Sequence, residues 1–125
     1  MAFNVLIVDD SSTIRKIICR CIQQTGLEIQ SIFEAGDGEE ALATLGREGV
    51  DVVLTDINMP KMNGVQLLTE MKQHEKYKTI PVLMITTEAR VESVLDATSK
   101  GAVGYIKKPF TPVEIKEQLL PILKP

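Results

Sequence analysis

Three acids and one lysine stand where they could act together. Asp9 and Asp10 follow the apolar run Val5-Leu6-Ile7-Val8, Asp56 follows Val52-Val53-Leu54-Thr55, and Lys108-Pro109 follows Val103-Gly104-Tyr105-Ile106 and Lys107. If each run is a strand of a parallel sheet, these residues sit at carboxyl ends, where open α/β sheets gather their ligands. Carboxylates crowded together repel, so a proton, the lysine or a divalent cation must neutralise them. A pocket rich in oxygen and free of imidazole and thiol favours Mg²⁺ over Zn²⁺ or Cu²⁺. A strand-end carboxylate such as Asp56 can attack an activated phosphorus in line, provided a cation offsets the accumulating charge. Asp9 and Asp10 would then supply the cation's site. Lys108 would pair with a carboxylate in the empty site and with a phosphoryl oxygen in the filled one. A purely structural reading makes Asp9 or Asp10 a helix N-cap and Asp56 a turn former, roles that do not call for a matching lysine.

Five apolar runs alternate with helical periodicities, which predicts a parallel sheet covered on both faces. Strands are expected near residues 3–8, 29–34, 52–55, 81–85 and 103–106. The first helix should start at Ser11 or Ser12, bury Ile14, Ile17, Ile18, Cys21 and Ile22, and stop near Gly26. A second follows Asp37-Gly38 with Ala41, Leu42 and Leu45 on one face and ends around Gly46 or Gly49; a third follows Asn63-Gly64 with Val65, Leu67, Leu68 and Met71. The fourth, from about Arg90 to Ser99, has a thin apolar set and should be the most loosely held. The fifth opens at Thr111-Pro112, a cap followed by a proline at the first helical position, and Pro121 should bend or end it.

The chain's 125 residues fit one domain spanning 1–125, without a fused effector. A content of 44% apolar and 25% charged residues argues against disorder, and a net charge of −3 without a basic stripe argues against nucleic-acid binding. No signal-peptide pattern or bilayer-length apolar run is present, so the expected location is cytoplasmic, with no membrane partner. Cys19 and Cys21 fall on roughly opposite faces of one helix, which disfavours a disulfide or a shared metal. His74, in the polar stretch Gln73-His74-Glu75-Lys76, should be exposed.

Asp9-Asp10, Asp56-Ile57-Asn58-Met59-Pro60, Gly64, Ile85-Thr86 and Tyr105-Ile106-Lys107-Lys108-Pro109-Phe110 together resemble the receiver domain of two-component response regulators, nearest to the stand-alone, CheY-like chemotaxis type. The resemblance spans essentially the whole chain and implies a single doubly wound (βα)5 domain, a flavodoxin-like five-stranded parallel sheet of order 2-1-3-4-5. It implies that Asp56 accepts a phosphoryl group from a sensor histidine kinase. Asp10, Asp56 and the backbone carbonyl of Asn58 would then coordinate Mg²⁺, with Asp9 acting mainly through bound water. It further implies a cis bond before Pro109, a contact from Thr86 to the phosphoryl group, and movement of Tyr105 into the space that Thr86's loop vacates. Thr86 could instead be only a β-branched strand residue, and Tyr105 a half-buried aromatic. By the resemblance, Asn58 and Glu88 hold the two positions that tune dephosphorylation, although Glu88 could equally be a solvated loop acid, and Pro60 and Gly64 are expected to shape the Asp56 loop. The implied downstream target is a protein, of the flagellar switch type or another, bound by a monomer through the face of the fourth helix, fifth strand and fifth helix. Ser11 and Arg90-Val91 depart from the chemotaxis pattern, which bears on the partner and leaves the chemistry untouched.

A single-domain phosphorelay intermediate is the nearest alternative. A Mg²⁺-dependent phosphohydrolase of the haloacid-dehalogenase type would need a second Asp two residues after the nucleophile, where this chain has Asn58. A flavodoxin-like electron carrier would need a phosphate loop rich in amide donors after the first strand, where Asp9-Asp10 would repel the anion.

Overall fold

Five short strands, β1 (Phe3–Val8), β2 (Ile29–Ala35), β3 (Val52–Thr55), β4 (Val82–Thr86) and β5 (Gly104–Lys107), form one sheet of order β2-β1-β3-β4-β5. All four strand pairings are parallel. The computed structural model describes residues 2–86, 98–108 and 110–123, and of Thr86 and Leu123 the backbone only. Successive side chains of a strand point to opposite faces, and both faces are covered. Leu6, Val8, Val53, Val82 and Met84 join Ala41, Leu45, Leu67, Leu68 and Met71 in one core. Val5, Ile7, Val52, Leu54, Leu83, Ile85 and Ile106 join Ile18, Ile22, Ile115 and Leu119 in the other. The chain is therefore the doubly wound (βα)5 domain that its motifs implied, with each strand within a residue of its expected bounds.

Helix α1 (Ser12–Gln23) is capped by Ser11, whose side chain accepts from the Ile14 N–H. Gly26, at φ +79°, follows it in the left-handed conformation that glycine adopts without strain. Helix α2 (Gly38–Arg47) is capped by Asp37, and α3 (Gly64–Lys72) by a reciprocal Asn63–Gln66 capping box. The C-terminal helix (Pro112–Leu123) starts at the expected threonine and proline, with the Glu114 N–H donating to Thr111 Oγ1. The expected fourth helix falls almost wholly in residues 87–97, outside the described residues, as do Glu88, Arg90 and Val91.

One expectation needs correction, and one of two alternatives at Pro121 is removed. Ile17 is 43% exposed and is not part of the inner face of α1. Ile18 and Ile22 set the centre of that face, and at 100° per residue Ile17 projects well to one side of it. Pro121 does not end the C-terminal helix, which continues to Leu123. Proline removes one hydrogen bond to the preceding turn. Leu119, fully buried, and Ile122, packed against the same core, hold the last turn in place. Cys19 and Cys21 are free, flank the α1 core stripe, and have thiols pushed up in pKa by burial, which makes them less reactive. His74 is exposed and stacks on Tyr77 at 4.1 Å. Among the described residues no helix is long and apolar enough to cross a membrane.

Candidate functional site

β1 lies between β2 and β3, so the chain winds outward in both directions from it, and a crevice opens at the carboxyl ends of β1 and β3. The end of β1 is tied to both neighbours: the Asp56 N–H donates to the Val8 carbonyl at 2.9 Å, and the Asp9 N–H to that of Ala35 on β2 at 3.1 Å. Because Val8 and Thr55 are partners in the register, the residues that follow them, Asp9 and Asp56, leave the sheet side by side. One oxygen from each of Asp9, Asp10 and Asp56 falls within 4.8 Å of the others. The spacing read from the sequence thus becomes an actual cluster. It is graded in burial, with Asp9 buried, Asp56 half-buried and Asp10 exposed.

Lys108 enters this cluster from β5. Lys107 is exposed, and strand alternation sends the next side chain inward, where Lys108 Nζ lies 2.8 Å from Asp9 Oδ2 and 3.6 Å from Asp56 Oδ2. Only 13% of the Lys108 side chain and 2% of that of Asp9 is exposed, so solvent screens the pair weakly. The remaining Asp9 oxygen, Oδ1, accepts from the Ser11 N–H at 2.9 Å. Ser11 takes the helix-capping role, so Asp9 and Asp10 are not the caps of α1.

Asp56 is held asymmetrically. Its Oδ1 accepts from the Ile57 N–H at 2.8 Å, which leaves Oδ2 on the Lys108 side. Burial pushes its carboxyl above the usual carboxylate range; Lys108 pulls it back, Asp9 pushes it further up, and the Ile57 and Asn58 N–H groups favour the anion. Three carboxylates against one ammonium leave the cluster with surplus negative charge. The donor set is oxygen only, which suits a hard divalent cation and not a thiophilic one.

Backbone contacts of Gly64 and a turn at Lys61 hold the loop behind Asp56. The Gly64 N–H donates to the Ile57 carbonyl at 2.9 Å, and a Cβ on Gly64 would lie only 2.2 Å from the Asp56 carbonyl oxygen. After exposed Pro60, Lys61 turns at φ +64° while the Met62 N–H donates to the Pro60 carbonyl at 2.7 Å, a γ-turn. Nothing in the residue type of Lys61 announces this. The Met62 carbonyl then accepts from the Gly38 N–H, joining the loop to the start of α2. Asn58 is exposed at the rim of the site.

Thr86 ends β4, and its backbone pairs with Lys107. Its side chain, Glu88 and the peptide bond into Pro109 lie outside the described residues. Tyr105 is on β5 and 46% exposed. Arg15 escaped the sequence reading: its Nη1 donates to the Asp9 carbonyl at 2.6 Å and its Nε to Glu34 Oε1 at 3.0 Å. The available signal was a cation near the start of α1, where the helix dipole disfavours positive charge, so that a partner elsewhere was to be expected.

The chain is similar to known proteins along nearly its whole length. A family model described as the response regulator receiver domain matches residues 5–120. The chain is 44% identical over 116 residues to chemotaxis protein CheY-3 of Vibrio cholerae, covering 93% of this chain and 88% of that protein. It is 42% identical over 121 residues to chemotaxis protein CheY1 of Helicobacter pylori, covering 96% of each. Among solved structures, a CheX–CheY complex of Borrelia burgdorferi with BeF3 and Mg²⁺ superposes with a TM-score of 0.86 at 32% identity, over 98% of this chain and 90% of the matched one. The strand-end acid cluster, its lysine and the sheet order thus coincide with homology along the whole chain, which belongs to the response regulator receiver domains and, within them, to the CheY-like signalling switches.

Proposed function

We propose that this chain accepts a phosphoryl group on Asp56 from a sensor histidine kinase, with Mg²⁺ at Asp9, Asp10 and Asp56, and then changes its affinity for a downstream protein. The supporting observation is the convergence of three carboxylates within 4.8 Å, with Lys108 in reach of two of them. Oxygen donors in excess of positive charge fit Mg²⁺, and the Borrelia relative was solved with Mg²⁺ and BeF3 together. Bound Mg²⁺ would neutralise charge on the nucleophile and the incoming phosphoryl oxygens. Asp10, Asp56 and the carbonyl of Asn58 would hold it, with Asp9 supporting them.

Asp56 Oδ2 is the nucleophilic atom, because Oδ1 is tied to the Ile57 N–H. The Oδ2–P bond forms as the bond from phosphorus to the kinase imidazole breaks, and the imidazole departs with the electron pair. Lys108 then exchanges a carboxylate partner for a phosphoryl oxygen, a short movement for an ammonium already 3.6 Å from Oδ2. Asn58 and Glu88 tune hydrolysis of the resulting acyl phosphate. The protein acts as a cytoplasmic monomer, and a target of the flagellar switch type docks on the face that includes β5 and the C-terminal helix.

Incubation with Mg²⁺ and acetyl phosphate tests the reading. One hydroxylamine-labile phosphoryl group per chain is expected, and none when Mg²⁺ is chelated; labelling that survives chelation or resists hydroxylamine would refute it. The communication step has its own check. Thr86→Ala should still be labelled, yet the shielding of the Tyr105 ring that accompanies phosphorylation in the parent, followed by NMR, should disappear. Equal shielding in both proteins would remove Thr86 from the switch.

Metal binding should also register as stability. A cation bound only by the folded form adds RT ln(1 + [Mg²⁺]/Kd), about 1.4 kcal/mol at ten times Kd. For a chain of this size that is a melting shift of roughly 3–8 °C. Sodium at matched ionic strength should do much less, because screening supplies no coordinated oxygens. Asp10→Asn should raise the metal-free melting temperature and erase most of the Mg²⁺ response. A variant that melts lower than the parent and responds fully would exclude Asp10 as a ligand.

A further inference from the structure

We infer that Arg15, oriented by Glu34, is a positioning residue for the acid pair, fixing the Asp9–Asp10 peptide and thereby the affinity of the site for its divalent cation. The inference rests on the proposed Mg²⁺ reading of that site. Asp9 is secured through its side chain, with one oxygen on the Ser11 N–H and the other on Lys108. Asp10 is exposed and directed by its backbone. The carbonyl of Asp9 belongs to the peptide that carries Asp10, and Arg15 Nη1 holds that carbonyl at 2.6 Å.

The guanidinium is itself fixed. Its Nε donates to Glu34 Oε1 at 3.0 Å, while the other carboxylate oxygen of Glu34 accepts from Lys16 Nζ at 2.6 Å. Each oxygen of Glu34 therefore serves one cation. Glu34 stands on β2 opposite Ile7 of β1, two residues before Asp9 in the chain, so the clamp spans the β1–β2 pair beneath the acid cluster. Arg15 is 19% exposed and Glu34 23%, so the planar fork works largely shielded from water. Both cations hold the Glu34 carboxyl below the usual carboxylate range, Lys16 more strongly than Arg15, which keeps the anchor charged. Lys108 must be free to change partners, whereas Arg15 meets the acid pair only at a backbone oxygen and can remain in place throughout.

Field and position predict opposite signs. Removing a cation beside three carboxylates should, by charge alone, tighten Mg²⁺ binding. Releasing the peptide that aims Asp10 should weaken it, and groups that orient metal ligands typically contribute 10–100-fold in affinity. Isothermal titration of the full chain with Mg²⁺ at constant ionic strength is therefore decisive. Arg15→Ala is expected to raise Kd about tenfold. Arg15→Lys keeps the charge but cannot span the Asp9 carbonyl and Glu34 with one planar fork, so its Kd should rise as well. Arg15→Lys also carries the test alone should Arg15→Ala fail to fold. Unchanged or tighter binding in a folded variant would overturn the clamp. A parent protein that shows no saturable Mg²⁺ binding would instead overturn the reading of the site, a different result seen before any variant is made.

Discussion

Asp56→Asn should abolish phosphoryl incorporation from acetyl phosphate while making the metal-free protein more stable. Loss of a nucleophile removes the covalent step outright, so labelling should fall by roughly a thousandfold or more. The stability gain follows from the direction of the Asp56 shift. Burial raises its folded pKa above the unfolded value, so over the window between them the folded chain binds more protons than the unfolded one. Stability contributed by the protonated form is fully present below the unfolded pKa and is lost as pH rises through the folded pKa. At neutral pH the parent carries an ionised, half-buried carboxylate beside Asp9, and the neutral amide removes that penalty. Melting curves between pH 3 and 8 should converge at the acid end and separate toward neutrality, with the variant above the parent. A variant that melts lower at pH 7 would mean that the Lys108 contact outweighs the burial and the repulsion from Asp9.

Gly64→Ala is the substitution expected to do most damage at a distance from the chemistry. Its Cβ would stand 2.2 Å from the Asp56 carbonyl oxygen and 3.0 Å from both the Asp56 carbonyl carbon and the Ile57 Cα. These are backbone atoms, which no rotamer change can clear. The strand-end peptide and the start of α3 must separate, and the Gly64 N–H bond to the Ile57 carbonyl weakens with them. Overpacking of this kind costs about 1–3 kcal/mol, a melting decrease of roughly 3–15 °C for a domain of this size. Because the displaced peptide carries Asp56, Mg²⁺ affinity should fall in parallel. Gly49→Ala is the control: a Cβ there meets nothing within 4 Å, and its melting temperature and Mg²⁺ response should stay near the parent's. Equal effects at the two glycines would show that the loop yields easily and does not fix the nucleophile.

The fold was legible because most strands are short apolar runs closed by a polar residue, and each described helix begins at a recognisable cap. Ser11, Asp37, Asn63 and Thr111 offer side-chain oxygens to free amides within a turn, a local interaction that spacing alone reveals. The acids and Lys108 were legible for the same reason, since position at the end of a parallel strand is nearly a position in space once the sheet is wound. Ile17 was misjudged because exposure at the edge of a helix face depends on neighbours distant in sequence.

Residue types and spacing thus determined which groups meet: three carboxylates, one ammonium, one sheet end. Only the tertiary structure decided how each is held. It put one Asp56 oxygen on an amide and left the other toward Lys108, and brought Glu34 across from β2 to orient Arg15 on the Asp9 carbonyl. The physical reason is the range of the interactions. Periodicity, caps and strand ends are written within a few residues, whereas the direction of a hydrogen bond between Asp9 and Lys108, 99 residues apart, exists only after the sheet has closed the distance.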